Sequence, residues 1–285
     1  MTSTTHEVPL PRRRSGRERL VGRGPAYLAA TILALFILLP IYLIAVSAFT
    51  PRESAFDFPR SVIPTEVSTD TIVFFLSASG VIDAFWRSVI VALITLGLSL
   101  LIGAPAGYAI ARYAFRGRSG YRLVILATRA FPIVILAIPL AVTYRLWGID
   151  DTVIGVALMH TALALPFTVL ITSSVFISVP RELEEAAQTL GCNPLQAFLR
   201  ISMPLALPGL AAAAIFTWVL SWNDVFAAVI LTLREPTLPA KILTALTQSP
   251  IYYQFAAGFV MLIPSVVVIF FIRKYLLGLW GRVVK

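Results

Sequence analysis

Trp218, Trp222, Asn223 and Asp224 are the best-placed polar and aromatic group within an apolar stretch of this sequence. Indole faces stack on the apolar faces of a sugar, while Asn and Asp side chains bind hydroxyls. The same set also reads as interfacial anchoring by tryptophan with an aspartate at a helix end. Other chemistry is sparse. Gly103–Gly107 and Gly22–Gly24 lack the lysine of a phosphate-binding loop, which excludes ATP hydrolysis by that route. His6 and His160 are too far apart to suggest a metal site, and no Ser/His/Asp or paired-carboxylate set shares a compartment. The single cysteine, Cys192, excludes an internal disulfide and a cysteine-rich cluster. No cofactor is expected, so energy must come from a partner or an ion gradient.

A second stretch, Pro180 to Pro208, carries a helical design between two apolar segments. Pro180 can open a helix, where its missing N–H costs nothing. Glu182, Glu184 and Glu185 then suit the positive end of the helix dipole. Ala186 and Ala187 keep one side thin, Leu183 and Leu190 give an apolar stripe, and Gly191 fits a left-handed stop. Asn193-Pro194 restarts the chain, and Phe198, Leu199 and Ile201 form a second apolar face. The expectation is a short helix, a sharp turn and a second helix, a knob fit for a groove in another protein.

The elements that must hold these residues are membrane spans. Of 285 residues, 58% are hydrophobic and 13% charged, with mean hydropathy +0.87, too little charge to cover a soluble surface. Six apolar runs are long enough, at roughly 20 residues, to cross a bilayer. They lie at about Ala26–Ala48, Ser88–Ala111, Tyr121–Trp147, Thr152–Ser178, Pro204–Leu233 and Phe255–Tyr275. The first exceeds the apolar core of a signal peptide, although Val46-Ser47-Ala48 resembles a cleavage site. Pro132 and Pro139 should kink the third. With the N-terminus inside, sixteen basic residues fall in inner segments and six in outer ones. That asymmetry sets both termini and the Pro180 knob on the cytosolic side. It also explains the net charge of +9 better than nucleic acid does. Residues 1–24 read as a flexible basic tail and 25–285 as the six-span domain. Two longer loops, about 50–84 and 234–254, face outward. Asp224 lies roughly 30 Å along its span from Pro204. Arg129 is expected to snorkel to the inner surface, too far from Asp224 to pair with it, and His160 to make one helix–helix hydrogen bond.

Glu185-Ala186-Ala187, Gly191 after three further residues, and Ile201-Ser202-Met203-Pro204 nine beyond resemble the EAA signature of ABC-importer permeases. Met203 departs mildly from the I-x-L-P ending. Trp222-Asn223-Asp224 resembles the W-N-[DE] segment of maltose-type carbohydrate importer permeases. Leu38-Leu39-Pro40 with Ser47-Ala48-Phe49, and the tail from Gly278 to Lys285, are similar to the same group, over roughly residues 25–285.

The resemblance implies an all-α membrane protein of six transmembrane helices, with the type I ABC importer permease fold and a cytosolic coupling helix at about 180–203. It implies a non-catalytic subunit in a prokaryotic cell membrane, importing sugar by alternating access. Its partners would be a second homologous permease, two ATP-binding ABC subunits, an extracytoplasmic solute-binding protein and membrane lipid. Glu184, Glu185, Ala186, Ala187, Gly191 and Pro204 would carry ATPase coupling, and Trp218, Trp222, Asn223 and Asp224 the substrate path. The loop at about 236–254 would reach into the binding protein. Alternatives are a polyol or glycerol phosphate as solute, or an ion-coupled transporter, which would need embedded carboxylates in repeated halves.

Overall fold

A computed structural model describes residues 16–56, 62–63, 66–246 and 249–280, and no strand occurs among them. Apolar sequence all round a helix leaves only internal pairing for the backbone, the state a bilayer requires. Among the described residues, five helices are long and apolar enough to cross: the Gly24–Ala48 part of α1 (Gly16–Ala48), α3 (Val81–Arg112), α6 (Val153–Ser178), the segment Pro194–Asn223, and Ile251–Tyr275. A bent pair, α4 (Arg118–Ala127) with a 3₁₀ turn to Ala130, and α5 (Ile133–Trp147), makes a sixth when counted as one span. A short α2 (Asp70–Ser77) precedes α3, and Gly80, at φ +72°, makes the tight turn between them. Residues 16–24 continue α1, while residues 1–15 and the end of the expected tail motif, 281–285, lie outside the described residues.

The segment expected as the third span is broken, not merely kinked. Its halves meet at 91°, because Pro132 cannot donate to the helix and holds Phe131 extended. Pro139 stays inside α5. The fifth span is also shorter than expected. After the elbow helices α7 (Arg181–Thr189) and α8 (Pro194–Ala197), α9 runs from Met203 to Asn223 and stops. Asp224 leaves the helical region at ψ 129°, and its Oδ2 accepts from the N–H groups of Ala227 and Ala228. That carboxylate starts a new short helix, α10 (Phe226–Leu231), so the chain does not continue unbroken to Leu233. Then come α11 (Leu238–Leu246) and α12 (Ile251–Trp280).

The centre of the bundle is the contact of α3, α6 and α9. Gly103 and Gly107 sit four apart on α3 and admit α6 to van der Waals distance. A Cβ built at Gly107 would lie 2.1 Å from Thr172 Oγ1 and 2.8 Å from the Ser173 nitrogen. Thr172 Oγ1 donates to the Gly103 carbonyl at 2.9 Å, and Thr168 and Thr217 share a hydrogen bond that ties in α9. Small residues and buried hydroxyls replace the hydrophobic drive that is missing between helices in lipid. Across the bundle, most of α1 is exposed, and it meets α12 near its far end through Phe49 and Phe259.

Replacing Gly107 by valine is expected to lower the unfolding temperature in detergent, the overpacking costing roughly 1–3 kcal/mol or more. Gly120, whose Cβ would meet nothing within 4 Å, is the control, and Gly120→Ala should not lower it. Equal unfolding temperatures for both variants would disprove the close α3–α6 seam.

Candidate functional site

The elbow at one end of the bundle is built as its residue types dictate. Pro180 is extended at ψ 130°, and α7 follows directly. Gly191 adopts φ +95°, its N–H donates to Gln188 O and that of Cys192 to Ala187 O, both at 3.0 Å. This is the paired closure that ends helices at a left-handed glycine. Asn193 then caps α8 reciprocally: its Oδ1 accepts from Gln196 N at 2.8 Å, and Gln196 Oε1 accepts from Asn193 N at 3.0 Å. A π-helical turn, Phe198–Ser202, leads into α9.

Glu184 fastens this elbow to the bundle. Its residue is 4% exposed, and its carboxylate accepts from Tyr108 Oη and Arg112 Nε, each at 2.7 Å, and from Ser202 Oγ. Arg112 Nη2 lies 2.6 Å from the same carboxylate and also donates to Val179 O at 2.9 Å. One carboxylate thus joins α7, the end of α3 and the start of α9. Burial alone would raise its pKa, but the donors Ser202, Tyr108 and Arg112, with the Arg112 charge, outweigh burial and hold it below the ordinary carboxylate value. The Tyr108 ring packs on Phe176 and Phe198, closing the joint with an aromatic cluster.

The expected coupling residues therefore divide. Glu184 faces inward and Ala187 is buried with it. Glu185, Ala186, Gly191 and Pro204 are exposed, and Glu185 pairs with Arg181, one helical turn away, at 3.1 Å. Around them stand four exposed leucines, Leu183, Leu190, Leu195 and Leu199, with Leu190 87% exposed. Of the expected second apolar face, Phe198 turns inward and Leu199 outward.

The other expected group also splits. Trp218 and Trp222 stack on each other at 5.8 Å within a core cluster with Phe75, Val81 and Leu238. Trp222 is fully buried and its indole N–H donates to Met261 O at 3.0 Å. Their faces pack on neighbouring helices, so the expectation of open stacking surfaces is corrected: α3, α11 and α12 cover them. Asn223 is exposed, with Nδ2 donating to Val219 O. Asp224 heads a buried polar chain. Its Oδ2 lies 3.2 Å from His160 Nε2, His160 Nδ1 meets Ser221 Oγ at 2.9 Å, and Ser221 Oγ lies 3.4 Å from Thr95 Oγ1. His160 thus makes two side-chain contacts, not one.

Asp224 also lines a cavity of about 340 Å³ together with Thr128, Arg129, Pro132, Leu163 and Leu220. Arg129 and Asp224 border the same cavity, and no ion pair joins them among the described residues. Next to the break at Pro132, Arg129 lies exposed against α6, where Nη1 donates to Leu163 O at 2.8 Å and the guanidinium lies 4.3 Å over the Phe167 ring. Tyr108, Arg112 and Ser202 were not among the sequence-derived site residues. Tyr108 and Arg112, four apart, share a helix face, and that spacing was the available signal.

The described residues thus form a bundle of helices able to span a membrane, with a helix-capped elbow at one end and a half-open cavity between helices. Residues 100–277 match the family described as binding-protein-dependent transport system inner membrane component, and the chain belongs to that family. It is 33% identical over 265 residues to the trehalose transport system permease protein SugB of Mycobacterium tuberculosis, covering 90% of this chain and 95% of that one. It is 29% identical to the diacetylchitobiose uptake system permease protein DasC of Streptomyces coelicolor, over 73% and 75% of the two chains. A solved bacterial ABC transporter for alginate import contains a chain of the same fold, with TM-score 0.68 and 22% identity over 93% of this chain and 99% of that one. The type I ABC importer permease fold read from the sequence is therefore the fold observed.

Removing the Glu184 carboxylate leaves Arg112 buried and uncompensated, so Glu184→Ala should cost roughly 3–5 kcal/mol. Its pKa is depressed, so its contribution is complete above the ordinary value of 4.5 and fades only as the pH falls below it. Limited proteolysis at the elbow between pH 7 and 3 checks this. Protection in the parent chain should persist through pH 4.5 and fail below, while Glu184→Gln should show little dependence across that range. Loss of protection already between pH 6 and 5 would contradict the assignment.

Proposed function

We propose that this chain is the smaller, six-span permease of an ABC importer for a carbohydrate. It is a non-catalytic subunit beside a second homologous permease, two ATP-binding subunits and an extracytoplasmic solute-binding protein. The observation that carries the reading is the elbow: four exposed leucines on a mount pinned by a buried carboxylate. Exposed apolar side chains on a helix-capped knob suit a groove in a partner, and Leu183 and Leu190 precede the Pro194–Asn223 segment that is apolar enough to enter lipid. Both termini and the elbow lie in the cytosol by the basic-residue asymmetry, where ATP is available. The sugar class is supported by the relatives named for trehalose and diacetylchitobiose, and by a cavity with polar groups on apolar walls.

In this mechanism, ATP binding draws the two ATPase subunits together and carries Glu185, Ala186 and Gly191 with them. Glu184 passes that displacement to α3 and α9, and the permease pair opens outward to take sugar from its carrier. ATP hydrolysis returns the bundle to the inward-open state. Asn223 and Asp224 line the solute path, with Trp218 and Trp222 as the packed support behind them.

Two substitutions test the docking face in the full complex. Leu190→Asp puts a charge into the contact, and Gly191→Val forces a branched residue into φ +95°, a strain of about 1–3 kcal/mol. Each should reduce the ATPase that co-purifies with the permease, and sugar uptake with it, at least tenfold. Undiminished ATPase binding and uptake in both variants would remove the elbow from the coupling path.

A further inference from the structure

We infer that Arg129 and Asp224 form a solute subsite within this subunit, selective for an uncharged polyhydroxylated ring, a proposal that rests on the carbohydrate reading above. Both residues line the same cavity, although they are distant in sequence, Arg129 coming from the broken span and Asp224 from the end of α9. The break before Pro132 brings in Arg129, and the end of α9 brings in Asp224. Each side chain is held by one part and left open at another. Arg129 is fixed through Nη1 on Leu163 O and by the Phe167 ring, while Nε and Nη2 make no hydrogen bond to a described residue. Asp224 is fixed through Oδ2 by His160 and two backbone N–H groups, while Oδ1 makes none. His160 is the positioning residue, itself held by Ser221.

The chemistry of the occupant follows. Arg129 offers only donors and Asp224 only acceptors, whereas a sugar hydroxyl can serve either. One hydroxyl donating to Asp224 and a second accepting from Arg129 satisfy both groups at once. An anionic solute such as a sugar phosphate gains Arg129 but faces Asp224, and a cation meets the reverse conflict, so the pair discriminates against both. Leu136, Leu163 and Leu220 supply the apolar wall for the ring's C–H face. At about 340 Å³ the cavity is at the lower end of the roughly 300–1,000 Å³ of small-molecule sites, enough to seat a sugar ring.

The test uses the assembled transporter with its solute-binding protein in proteoliposomes, and radiolabelled trehalose, maltose and diacetylchitobiose as probes. The parent complex should accumulate at least one of these, and Arg129→Gln and Asp224→Asn should each slow that uptake at least tenfold. A second measurement leaves the pair intact: Thr128→Cys at the cavity wall, in a Cys192→Ser background, is labelled with a maleimide during turnover. The transported sugar should slow labelling of this chain at least threefold, and a sugar phosphate should not. Because Asp224 also caps α10, this protection decides the matter if Asp224→Asn fails to assemble. A parent complex that imports none of the three sugars sinks the carbohydrate reading and this subsite together. Import that survives both substitutions, or labelling indifferent to sugar, overturns the subsite alone.

Discussion

The Glu184 carboxylate at the base of the elbow is the contact on which the rest of the structure turns. A charge removed from water is costly unless each lone pair finds a donor. Here Tyr108, Arg112 and Ser202 supply them, from the end of α3 and the entry to α9. An apolar joint of similar volume could hold as tightly, but it could slide. Directional hydrogen bonds fix orientation as well as distance, so movement of α7 must be shared by α3 and α9. An exposed ion pair such as Arg181–Glu185 transmits little, because water competes for both partners.

The interior continues the same logic without hydrophobic drive. Between α3 and α6, two glycines and the Thr168 and Thr172 hydroxyls bring backbones together. Towards the opposite end, Thr95, Ser221, His160 and Asp224 form a connected polar chain across α3, α6 and α9. The three central helices are therefore joined by polar contacts along their length, while α1 lies at the margin. Asp151 does a comparable service beyond α9: its carboxylate accepts from the N–H groups of Leu233, Arg234 and Glu235, tying the turn before α6 to the loop after α10.

Much of this was legible from residue order, and the failures share a cause. Gly191 read correctly as a left-handed stop because only backbone geometry decides it, and Asn193 restarted the chain as a cap for the same local reason. The spans were legible from apolar length alone. What could not be read was direction. Glu184 and Glu185 are neighbours of one type, yet one is the buried hub and the other is exposed, because Tyr108, Arg112 and Ser202, all distant in sequence, decide between them. Trp218 and Trp222 resembled a sugar platform, but their indoles are occupied by helices that no local pattern announced. The breaks at Pro132 and Asp224 were visible only as a kink and a helix-end charge. Their consequence, a cavity holding both Arg129 and Asp224, is a tertiary fact.

These pieces place the elbow and the cavity on one rod. α9 begins beside Ser202, which bonds Glu184, and ends at Asn223, beside the Asp224 that lines the cavity. At about 1.5 Å per residue, its 21 residues span roughly 30 Å. Pro208 lies in its first turns, and beyond it Thr217 and Ser221 hold the rod to α6. In the proposed mechanism, a displacement at the elbow would reach the Asp224 end through α9, past the π-helical turn and Pro208. The opposite wall of the cavity, around Arg129, stands on the broken span, which does not share that rod. Movement of α9 against it must change the spacing of the two charged side chains. A site that closes around a solute in one position and releases it in the other needs only that difference.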